Sequence, residues 1–419
     1  MKSLVKYTAR FGTGLLLMIL IWSCARVPGL KEETSGTYIK IPFVRVLLEE
    51  NKKEITAAAD GSFAIECLIQ GEQTIYYSSQ PVKVKNNDNY LLLENHRGNI
   101  IQSHLDEINI IPRGNKNRTY LNQKRYRGIL KVVPNGGNLN LINIVYLEDY
   151  LRGVVPPEIG NRNKNEMEAV KAQTIAARTY AMAHLQQYKN EPYDVKSSIL
   201  DQIYEGVNVE NKLINKAIDL TIGRVLFYQD NFVNAYYHST CGGFTDDISS
   251  VWDRKEIPYL KAVKDDDACV WSKYYNWKEV FTEKQLRGRI EQYLSSDRGR
   301  DLRIGNIRDL TITSRTPGGR VAKLLVHTDN DIYKFQKDRI RWVIGRTSNP
   351  DLILPSDRFD IDIKRNQAGN LVSVTFKGSG YGHGVGMCQC GAIGLSRQGW
   401  SYDKILTHYY TDVEVKKLY

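Results

Sequence analysis

The sequence predicts an α+β fold in which an antiparallel, β-rich N-terminal part is joined to a mixed α+β region with a central alanine-rich helix and a cleft between lobes. Short runs rich in Ile, Val and Tyr dominate residues 37–144, which is typical of antiparallel strands. A helical period begins near residue 165, and the later strands and helices mix without a strict βαβ alternation. With 419 residues, 42% of them hydrophobic, the chain has room for two or three domain-sized units.

The first 24 residues have the pattern of an export signal. Three basic residues among the first ten precede the apolar run 15–22, which is too short to span a bilayer stably. Small residues before Cys24 resemble a lipobox, so we predict that Cys24 is lipidated and becomes the mature N-terminus. A plain signal peptide and an uncleaved anchor are the alternatives. With residues 25–36 as a linker, the chain is expected in the cell envelope as a lipoprotein held on the membrane by its N-terminal lipid.

The net charge and the number of cysteines limit which partners and which disulfide pairings are expected. The net charge of +11 and the pI near 9.1 predict a surface that attracts polyanions, but the export signal argues against nucleic acid as the partner. Without Cys24 five cysteines remain, so at least one thiol is free or pairs with another molecule. The pairings to test join Cys241 to Cys269 or to one of the two C-terminal cysteines. Cys388 and Cys390 are too close in sequence to bridge each other without strain.

A central helix is predicted over Asn165–Tyr188. Apolar residues recur there at three- and four-residue intervals, and many alanines allow another element to approach closely. Asn165, with Glu168 three positions on, fits an N-cap with its capping-box partner. The later predicted elements are a helix at 211–221, strands at 225–238, a helix at 282–294, strands at 309–313 and 320–327, a helix at 334–344, strands at 359–364 and 371–376, and two helices after Gly384.

Glu158 is the first candidate for chemistry, in the stretch LEDYLRGVVPPEIG (147–160). It follows two prolines on a stiff, partly apolar lead-in, close to the start of the central helix. Desolvation by apolar neighbours would raise its pKa, as a general acid requires, whereas a helix N-terminus would lower the pKa. An ordinary acidic residue near a helix N-terminus has the same local pattern.

A second candidate is the stretch AYYHSTCGGFTDD (235–247). His238 and Cys241 provide too few ligands for structural zinc, which is nearly always four-coordinate. A base and a nucleophile this close on a strand end rarely face each other correctly. We therefore expect the stretch to shape a cleft.

The third candidate is the glycine-rich stretch GSGYGHGVGMCQCGAIG (378–394). It lacks the lysine of a phosphate-binding loop, and its spacing matches no common metal framework. Because glycine allows close backbone approach, we expect a cleft wall that faces Glu158 and is lined by His383 and Gln389. Replacement of Gly384 by Val is then expected to abolish function while folding is retained.

Seven motifs occur together and in order. They are YRGIL (126–130), LEDYLRGVVPPEI (147–159), EAVKAQTIAARTYA (168–181), YHSTCGG (237–243), PYLKAV (258–263), LPSDRF (354–359) and GYGHGVGMCQCGAIGLS (380–396). In this combination the chain resembles the stage II sporulation protein D family, which includes the amidase enhancer LytB. The likeness extends from about residue 43 to the C-terminus. The strand patterns predict a β-rich N-terminal region at residues 37–144, and the resemblance implies a catalytic region at residues 145–419.

The resemblance implies that the protein acts on peptidoglycan, because sporulation members of the family are lytic transglycosylases that cleave glycan strands. The family's catalytic acid is the Glu of its VVPxE block, which is Glu158 here. Lys171 and Arg178 match basic positions in the helix block, and Tyr259 and Lys261 match the PYLK block. We expect these four residues to bind substrate and stabilise charge.

His238, His383 and Gln389 are the remaining expected substrate-binding residues. The chain departs from the family around the acid, where Pro157 and Ile159 stand in place of smaller residues or Met and the spacing to the helix is longer. Some members bind zinc through a Cys/His cluster just after the central helix, but YDVKSSILDQIY (193–204) contains neither residue type. We therefore expect no zinc and no cofactor.

The expected mechanism uses Glu158 as a single general acid and base. It protonates the oxygen between N-acetylmuramic acid and N-acetylglucosamine, the substrate's 2-acetamido group stabilises the oxocarbenium-like centre, and the resulting carboxylate deprotonates the 6-hydroxyl to close a 1,6-anhydro ring. The alternative is a non-catalytic peptidoglycan-binding protein that enhances an N-acetylmuramoyl-L-alanine amidase, with that cell-wall amidase as its partner. A role in sporulation does not follow from the resemblance.

Overall fold

A computed structural model describes Tyr7, Thr8 and residues 41–419, apart from residues 115, 186, 199–200, 266 and 350. The predicted lipidation site Cys24 and the linker lie outside the described residues. The chain forms two compact units that alternate along the sequence. Unit 1 comprises Met1–Asn161, Ala181–Arg224 and Lys417–Tyr419, and unit 2 comprises Arg162–Tyr180 and Val225–Lys416. The division at residue 145 inferred from the sequence stays a prediction.

The structure confirms the α+β fold class. The strands are β1 (Tyr7–Thr8), β2 (Phe43–Lys52), β3 (Glu54–Ala59), β4 (Phe63–Ile69), β5 (Glu72–Ser78), β6 (Val82–Asn87), β7 (Tyr90–Asn95), β8 (Ile100–Leu105), β9 (Glu107–Pro112), β10 (Thr119–Leu121), β11 (Lys124–Tyr126), β12 (Ile129–Asn135), β13 (Asn138–Tyr146), β14 (Val195–Lys196), β15 (Arg224–Tyr228), β16 (Asn231–Phe232), β17 (Tyr237–His238), β18 (Asn276–Thr282), β19 (Ile307–Arg315), β20 (Val321–Thr328), β21 (Ile332–Gln336), β22 (Phe359–Arg365), β23 (Leu371–Ser379), β24 (Met387–Cys388) and β25 (Glu414–Lys417).

The helices are fewer than the strands. They are α1 (Leu147–Ile159), α2 (Met167–His184), α3 (Lys212–Leu220), α4 (Ile248–Val251), α5 (Glu283–Arg298), α6 (Arg339–Ile344), α7 (Gln389–Arg397) and α8 (Tyr402–Tyr409), with short 3-10 helices at Lys164–Glu166 and Gly206–Val209. Within the described part of the chain, no helix is both long enough and apolar enough to cross a membrane.

Two antiparallel sheets dominate unit 1, as the sequence predicts. One has the order β1-β5-β4-β9-β12-β13-β2-β14, in which the β14–β2 pair is parallel, and the other has the order β11-β10-β3-β6-β7-β8. Alternate residues of β4, namely Phe63, Ile65 and Cys67, are fully buried. This period of two places one face of the strand in the core. Cys67 therefore packs inside unit 1, where burial raises the pKa of its thiol to about 12.

Helix α1 was not predicted from the sequence, and it changes the setting of Glu158. Pro156 and Pro157 lie inside its last turns, and the helix ends at Gly160, whose φ is 72°. Pro157 has no N–H to donate to the Gly153 carbonyl, and that carbonyl instead accepts a bond of 3.1 Å from the Glu205 backbone N–H. Glu158 thus lies in the last turn of a helix, whereas the sequence suggested a lead-in close to a helix start.

The central helix α2 is confirmed, with Ala169, Ala172, Ala176 and Ala177 fully buried. Its cap differs from the prediction. A 3-10 turn precedes it, and the Glu166 carboxylate accepts a bond of 2.7 Å from the backbone N–H of Asn163. The carboxylate half of the capping box therefore forms two residues earlier than the sequence suggested, because the extra 3-10 turn extends the start of the helix.

Unit 2 contains two three-stranded antiparallel sheets, β18-β23-β22 and β19-β20-β21, and a parallel pair of β17 with β24. The two sheets and helices α5 and α6 share an apolar core. The helix predicted at 334–344 is wrong in its first part, where β21 pairs with β20 before α6 begins. β21 is the second strand of a hairpin with β20, and pairing across the hairpin outweighed the helical pattern within the segment.

The core of unit 1 gives a direct test of the fold. Ile110 in β9 is fully buried between β4 and β12, whereas Ile100 in β8 is 64% exposed. We expect Ile110→Ala to lower the free energy of unfolding by about 2–5 kcal/mol. The matched change Ile100→Ala should alter it by less than about 0.5 kcal/mol. Urea denaturation of the full chain measures both, and equal effects would contradict the assigned register.

Candidate functional site

Glu158 is partly exposed on α1, in unit 1. The residues beside it on the helix, Val154, Val155 and Ile159, are buried in the same unit. The backbone N–H of Ile203 donates to Glu158 Oε1 at 3.4 Å. The carboxyl therefore sits at a fixed point of a well-packed helix, with part of its surface open to solvent.

The other seven expected site residues belong to unit 2. Lys171 and Arg178 are on α2. The Lys171 ammonium forms an ion pair of 2.7 Å with Glu168 and lies 5.7 Å from the centre of the Tyr402 ring. Arg178 is fully buried, so its guanidinium is not open to solvent.

Tyr259 and Lys261 have different environments although they share one motif. Tyr259 is buried, and its hydroxyl accepts a hydrogen bond of 3.1 Å from the Asn234 backbone N–H. Lys261 is exposed and has a long ion pair of 3.9 Å with Glu256. Of these two residues, only Lys261 presents its charge to solvent.

The structure brings His238 and His383 together. Their ring centres are 5.4 Å apart, and the Trp252 ring lies 4.9 Å from that of His383. His238 is buried, with Nδ1 3.2 Å from the Val385 carbonyl oxygen, and its Nε2 has no hydrogen-bond partner among the described residues. The geometry places the proton on Nδ1 and leaves the Nε2 lone pair available to a donor.

His383 is held by backbone groups at both ring nitrogens. Its Nε2–H donates to the Tyr237 carbonyl at 3.0 Å, and its Nδ1 accepts from the Val385 N–H at 3.1 Å. Burial lowers the pKa of His383 to about 4 and lowers the pKa of His238 well below its usual value. Both rings are therefore neutral near pH 7, and the sugar contact expected for His383 stays a prediction.

Gln389 is buried next to this pair, because β24 lies beside β17 and pairs Cys388 with His238. Its side-chain Nε2 donates to Gln173 Oε1 on α2 at 3.5 Å. Gln173 was not singled out from the sequence, although it lies within the helix motif. Unit 2 thus holds two polar pairs, the neighbouring rings of His238 and His383 and the hydrogen-bonded Gln173 and Gln389, and His383 is partly exposed.

The glycine-rich stretch packs closely against its surroundings. Gly384 has a φ of 85°, and a Cβ at this position would overlap the guanidinium of Arg320; a Cβ on Gly386 would overlap the Tyr236 carbonyl oxygen. The sequence suggested that a Val at 384 would leave folding intact. The structure corrects this expectation, because any side chain there collides with a buried charge.

Arg320 is a buried cation that packs against the stretch, and no local pattern in the sequence points to it. Its Nη1 donates to Asp357 Oδ1 at 2.6 Å, and its Nε lies 3.7 Å from Asp246 Oδ2. It also donates to the carbonyls of Gly382 at 3.3 Å and Cys241 at 3.4 Å. One side chain therefore joins the glycine-rich stretch to the Cys241 turn.

Three of the four cysteines of unit 2 converge, and no disulfide forms among the described residues. Cys241, Cys269 and Cys388 are buried, and the Cys241 and Cys269 sulfurs are 3.5 Å apart, well beyond the disulfide length of about 2.05 Å. Asp265, which belongs to none of the sequence motifs, lies in the same cluster, and burial raises its pKa to about 8.

The described geometry defines an α+β protein with a partly exposed acid on a helix in unit 1 and, in unit 2, a neighbouring pair of histidines and a hydrogen-bonded pair of glutamines. The family model SpoIID, stage II sporulation protein, matches residues 135–228, and a domain of unknown function, DUF8618, matches residues 270–386.

Three known proteins are similar to the chain over long stretches. Stage II sporulation protein D of Bacillus subtilis is 31% identical over 291 residues, which is 65% of this chain and 74% of that protein. An uncharacterized protein of Brachyspira hyodysenteriae is 29% identical over 344 residues, covering 81% of this chain and 85% of that protein. The amidase enhancer of Bacillus subtilis is 29% identical over 292 residues, but these span only 39% of its length.

The chain belongs to the stage II sporulation protein D family, as its motifs indicated. Membership supports a role connected with the cell wall.

The neutral histidine pair predicts a stability that depends on pH. Because the folded-state pKa of His383 is about 4 and its ordinary value is 6.5, the unfolded state binds more protons between these values. Stability should therefore fall as the pH drops from 6.5 towards 4, by about 3 kcal/mol from this residue. His383→Gln should remove that part of the loss, whereas the exposed His96→Gln should not; urea denaturation at pH 7 and pH 4.5 compares them. An unchanged slope in His383→Gln would contradict the assignment.

Gly384 and Gly399 form a matched pair, because both have positive φ but only Gly384 faces a neighbour. Gly399→Ala should cost about 1–3 kcal/mol from backbone strain alone. Gly384→Ala should cost at least about 3 kcal/mol more, since it displaces the Arg320 ion pairs. Thermal unfolding of the two variants measures the difference, and similar melting temperatures would refute the collision.

Proposed function

We propose that the protein is a peptidoglycan lytic transglycosylase that cleaves the bond between N-acetylmuramic acid and N-acetylglucosamine and forms 1,6-anhydro-muramic acid. The observation that carries the proposal is the setting of Glu158, a partly exposed carboxyl on the last turn of a packed helix. This helix lies within the residues that the SpoIID family model matches.

The local structure suits a catalytic acid, because the carboxyl is held in place. Buried Val154, Val155 and Ile159 anchor α1, and the ring of Pro157 fixes the backbone φ next to Glu158. A catalytic group that is positioned before substrate arrives avoids an entropic cost in the reaction. Pro157, a departure from the family pattern, is thus compatible with a positioned acid.

Two features of the structure bear on the Glu158 carboxyl. It lies in the last turn of α1, among side chains that are buried in the same unit, and the Ile203 N–H donates to its Oε1 at 3.4 Å. That donor can stay bonded to the carboxylate that remains after proton transfer. A residue that serves as acid and then as base needs both forms to be accessible.

The reaction balances with this one carboxyl. The Glu158 proton moves to the glycosidic oxygen as the bond from that oxygen to the muramic C1 breaks, and the substrate's acetamido group stabilises the positive centre. The 6-hydroxyl oxygen then bonds to C1, and its proton returns to Glu158. No water is consumed, so the second carboxylate of ordinary glycosidases is not required.

We propose that unit 2 supplies substrate binding. Exposed Lys261 and partly buried Lys171 offer positive charge, and the net charge of +11 favours an anionic polymer such as peptidoglycan. Buried Arg178 and Tyr259 suit support of neighbouring side chains better than direct contact. Among the polar groups proposed for the sugar chain, His383 is partly exposed and suits direct contact, whereas His238 and Gln389 are buried and suit support of neighbouring side chains. Export and lipid anchoring at Cys24 complete the proposal.

The alternative is a protein that binds peptidoglycan and enhances a cell-wall amidase without cutting glycan. The similarity to the amidase enhancer of Bacillus subtilis favours it. It requires no proton transfer by Glu158, which is how the two functions are distinguished.

Digestion of purified glycan strands tests the enzyme. With wild-type protein, mass spectrometry should detect 1,6-anhydro-muramic products, and Glu158→Gln should reduce their rate of formation about 10²–10⁴-fold because Gln cannot donate the proton. The control is Glu54→Gln, which removes an exposed carboxylate paired with Lys83 at 3.4 Å and should leave the rate unchanged.

Absence of anhydro products from wild-type protein, or an undiminished rate with Glu158→Gln, would rule out the transglycosylase. An amidase assay in the presence of each protein then decides for the alternative. Equal stimulation of amidase turnover by wild type and Glu158→Gln, without anhydro products, is the result expected of an enhancer.

A further inference from the structure

We propose that Cys241, Asp265, Cys269 and Cys388 form a structural zinc site in unit 2. The four residues come from three separate segments, and all four are buried. One ligand atom from each, three sulfurs and a carboxylate oxygen, lie within 4.8 Å of one another. This site is separate from residues 193–204, where the family resemblance places the zinc of some members, and it departs from the expectation of no metal.

The distances agree with a shared ion. A tetrahedral zinc with Zn–S bonds of about 2.3 Å holds its sulfurs about 3.8 Å apart. The Cys241 and Cys269 sulfurs are 3.5 Å apart, close to this edge. A disulfide would use two thiols and leave the third sulfur and the Asp265 carboxylate buried beside it without a function.

Backbone groups around the cluster point at the sulfurs. The N–H groups of Cys241 and Gly391 both donate to Cys388 Sγ at 3.2 Å, and the Gly243 N–H donates to Cys241 Sγ at 3.3 Å. Hydrogen bonds of this kind orient and stabilise thiolate ligands of a metal. The sulfurs are therefore surrounded by donors that suit negatively charged sulfur.

Asp265 completes the set of ligands. Its Oδ1 accepts a hydrogen bond from the Tyr409 hydroxyl, which fixes the carboxylate. Its Oδ2 is buried without a hydrogen-bond partner among the described residues. A buried carboxylate in that position is costly, and a bound cation or a proton offsets the cost.

The types of ligand atom in the cluster determine which metal ion fits and what role it has. Three soft sulfurs with one carboxylate suit Zn²⁺, whereas Mg²⁺ and Ca²⁺ require oxygen ligands. Four protein ligands close the tetrahedral shell, so the ion is structural and does not activate water. It would tie the turn at Cys241 and the turn at Cys269 to Cys388, which belongs to the glycine-rich stretch and caps the start of α7.

Metal analysis of the full chain, purified under reducing conditions without chelator, tests the proposal. Inductively coupled plasma mass spectrometry should find one zinc per chain. Replacement by Co²⁺ should give thiolate-to-cobalt charge-transfer bands and the visible spectrum of a tetrahedral ion. Cys269→Ser should lose the zinc and lower the melting temperature.

Two variants make the test specific. Cys390→Ser changes a neighbouring cysteine outside the cluster and should keep the zinc. Tyr409→Phe keeps all four ligands but removes the hydroxyl that orients Asp265, and it should weaken zinc affinity by up to about 10–100-fold in competition with a chelator.

Wild-type protein that contains no zinc, and that binds none when Zn²⁺ is added under reducing conditions, would overturn the proposal. A metal-free wild-type chain whose mass is two hydrogens lower without reductant, but not in Cys269→Ser, would show a disulfide instead and would equally overturn it. Both outcomes are independent of glycan cleavage, so the site can fail while the proposed function stands, and the reverse.

Discussion

The buried guanidinium of Arg320 is the interaction on which the interior of unit 2 depends. It faces two buried carboxylates, Asp357 and Asp246, and burial raises the pKa of both. Thr316 and the backbone N–H of Gly318 also donate to Asp246. Removing one partner of such a buried network leaves an uncompensated charge, whose cost is about 3–5 kcal/mol. The segments that meet at Arg320 are therefore held in one arrangement.

The close packing around Arg320 explains why glycines occupy the positions beside it and why the two histidines are neutral. The chain passes so close to Arg320 that Gly384 admits no side chain, and the same guanidinium holds the carbonyl of Gly382. Burial is the largest cause of the lowered pKa of His238 and His383, and the nearby positive charge of Arg320 lowers the pKa of both rings as well. A neutral, hydrogen-bonded ring is the state that fits beside a fixed positive charge.

In unit 1, helix α1 contains two prolines and nevertheless keeps its helical form. Two prolines in a helix interior normally break it, because each removes a hydrogen bond. Here the freed carbonyl of Gly153 is satisfied by the Glu205 N–H, and Gly153 packs against Tyr204 so closely that a Cβ would overlap the ring. The segment 203–206 thus supports both the end of the helix and, through Ile203, the carboxyl of Glu158.

The sequence by itself determined the α+β class, the antiparallel strands before residue 145, the alanine-rich helix α2 and the family, because alternation, helical period and ordered motifs are local signals. It singled out Glu158 but placed it at the wrong kind of helix end, since proline rules ignore a distant donor such as Glu205. Only the tertiary structure decided the ion pairs of Arg320 and the convergence of Cys241, Cys269 and Cys388. These groups are 28 or more residues apart, so no spacing rule reveals them. Folding brings them together through contacts that local patterns do not encode.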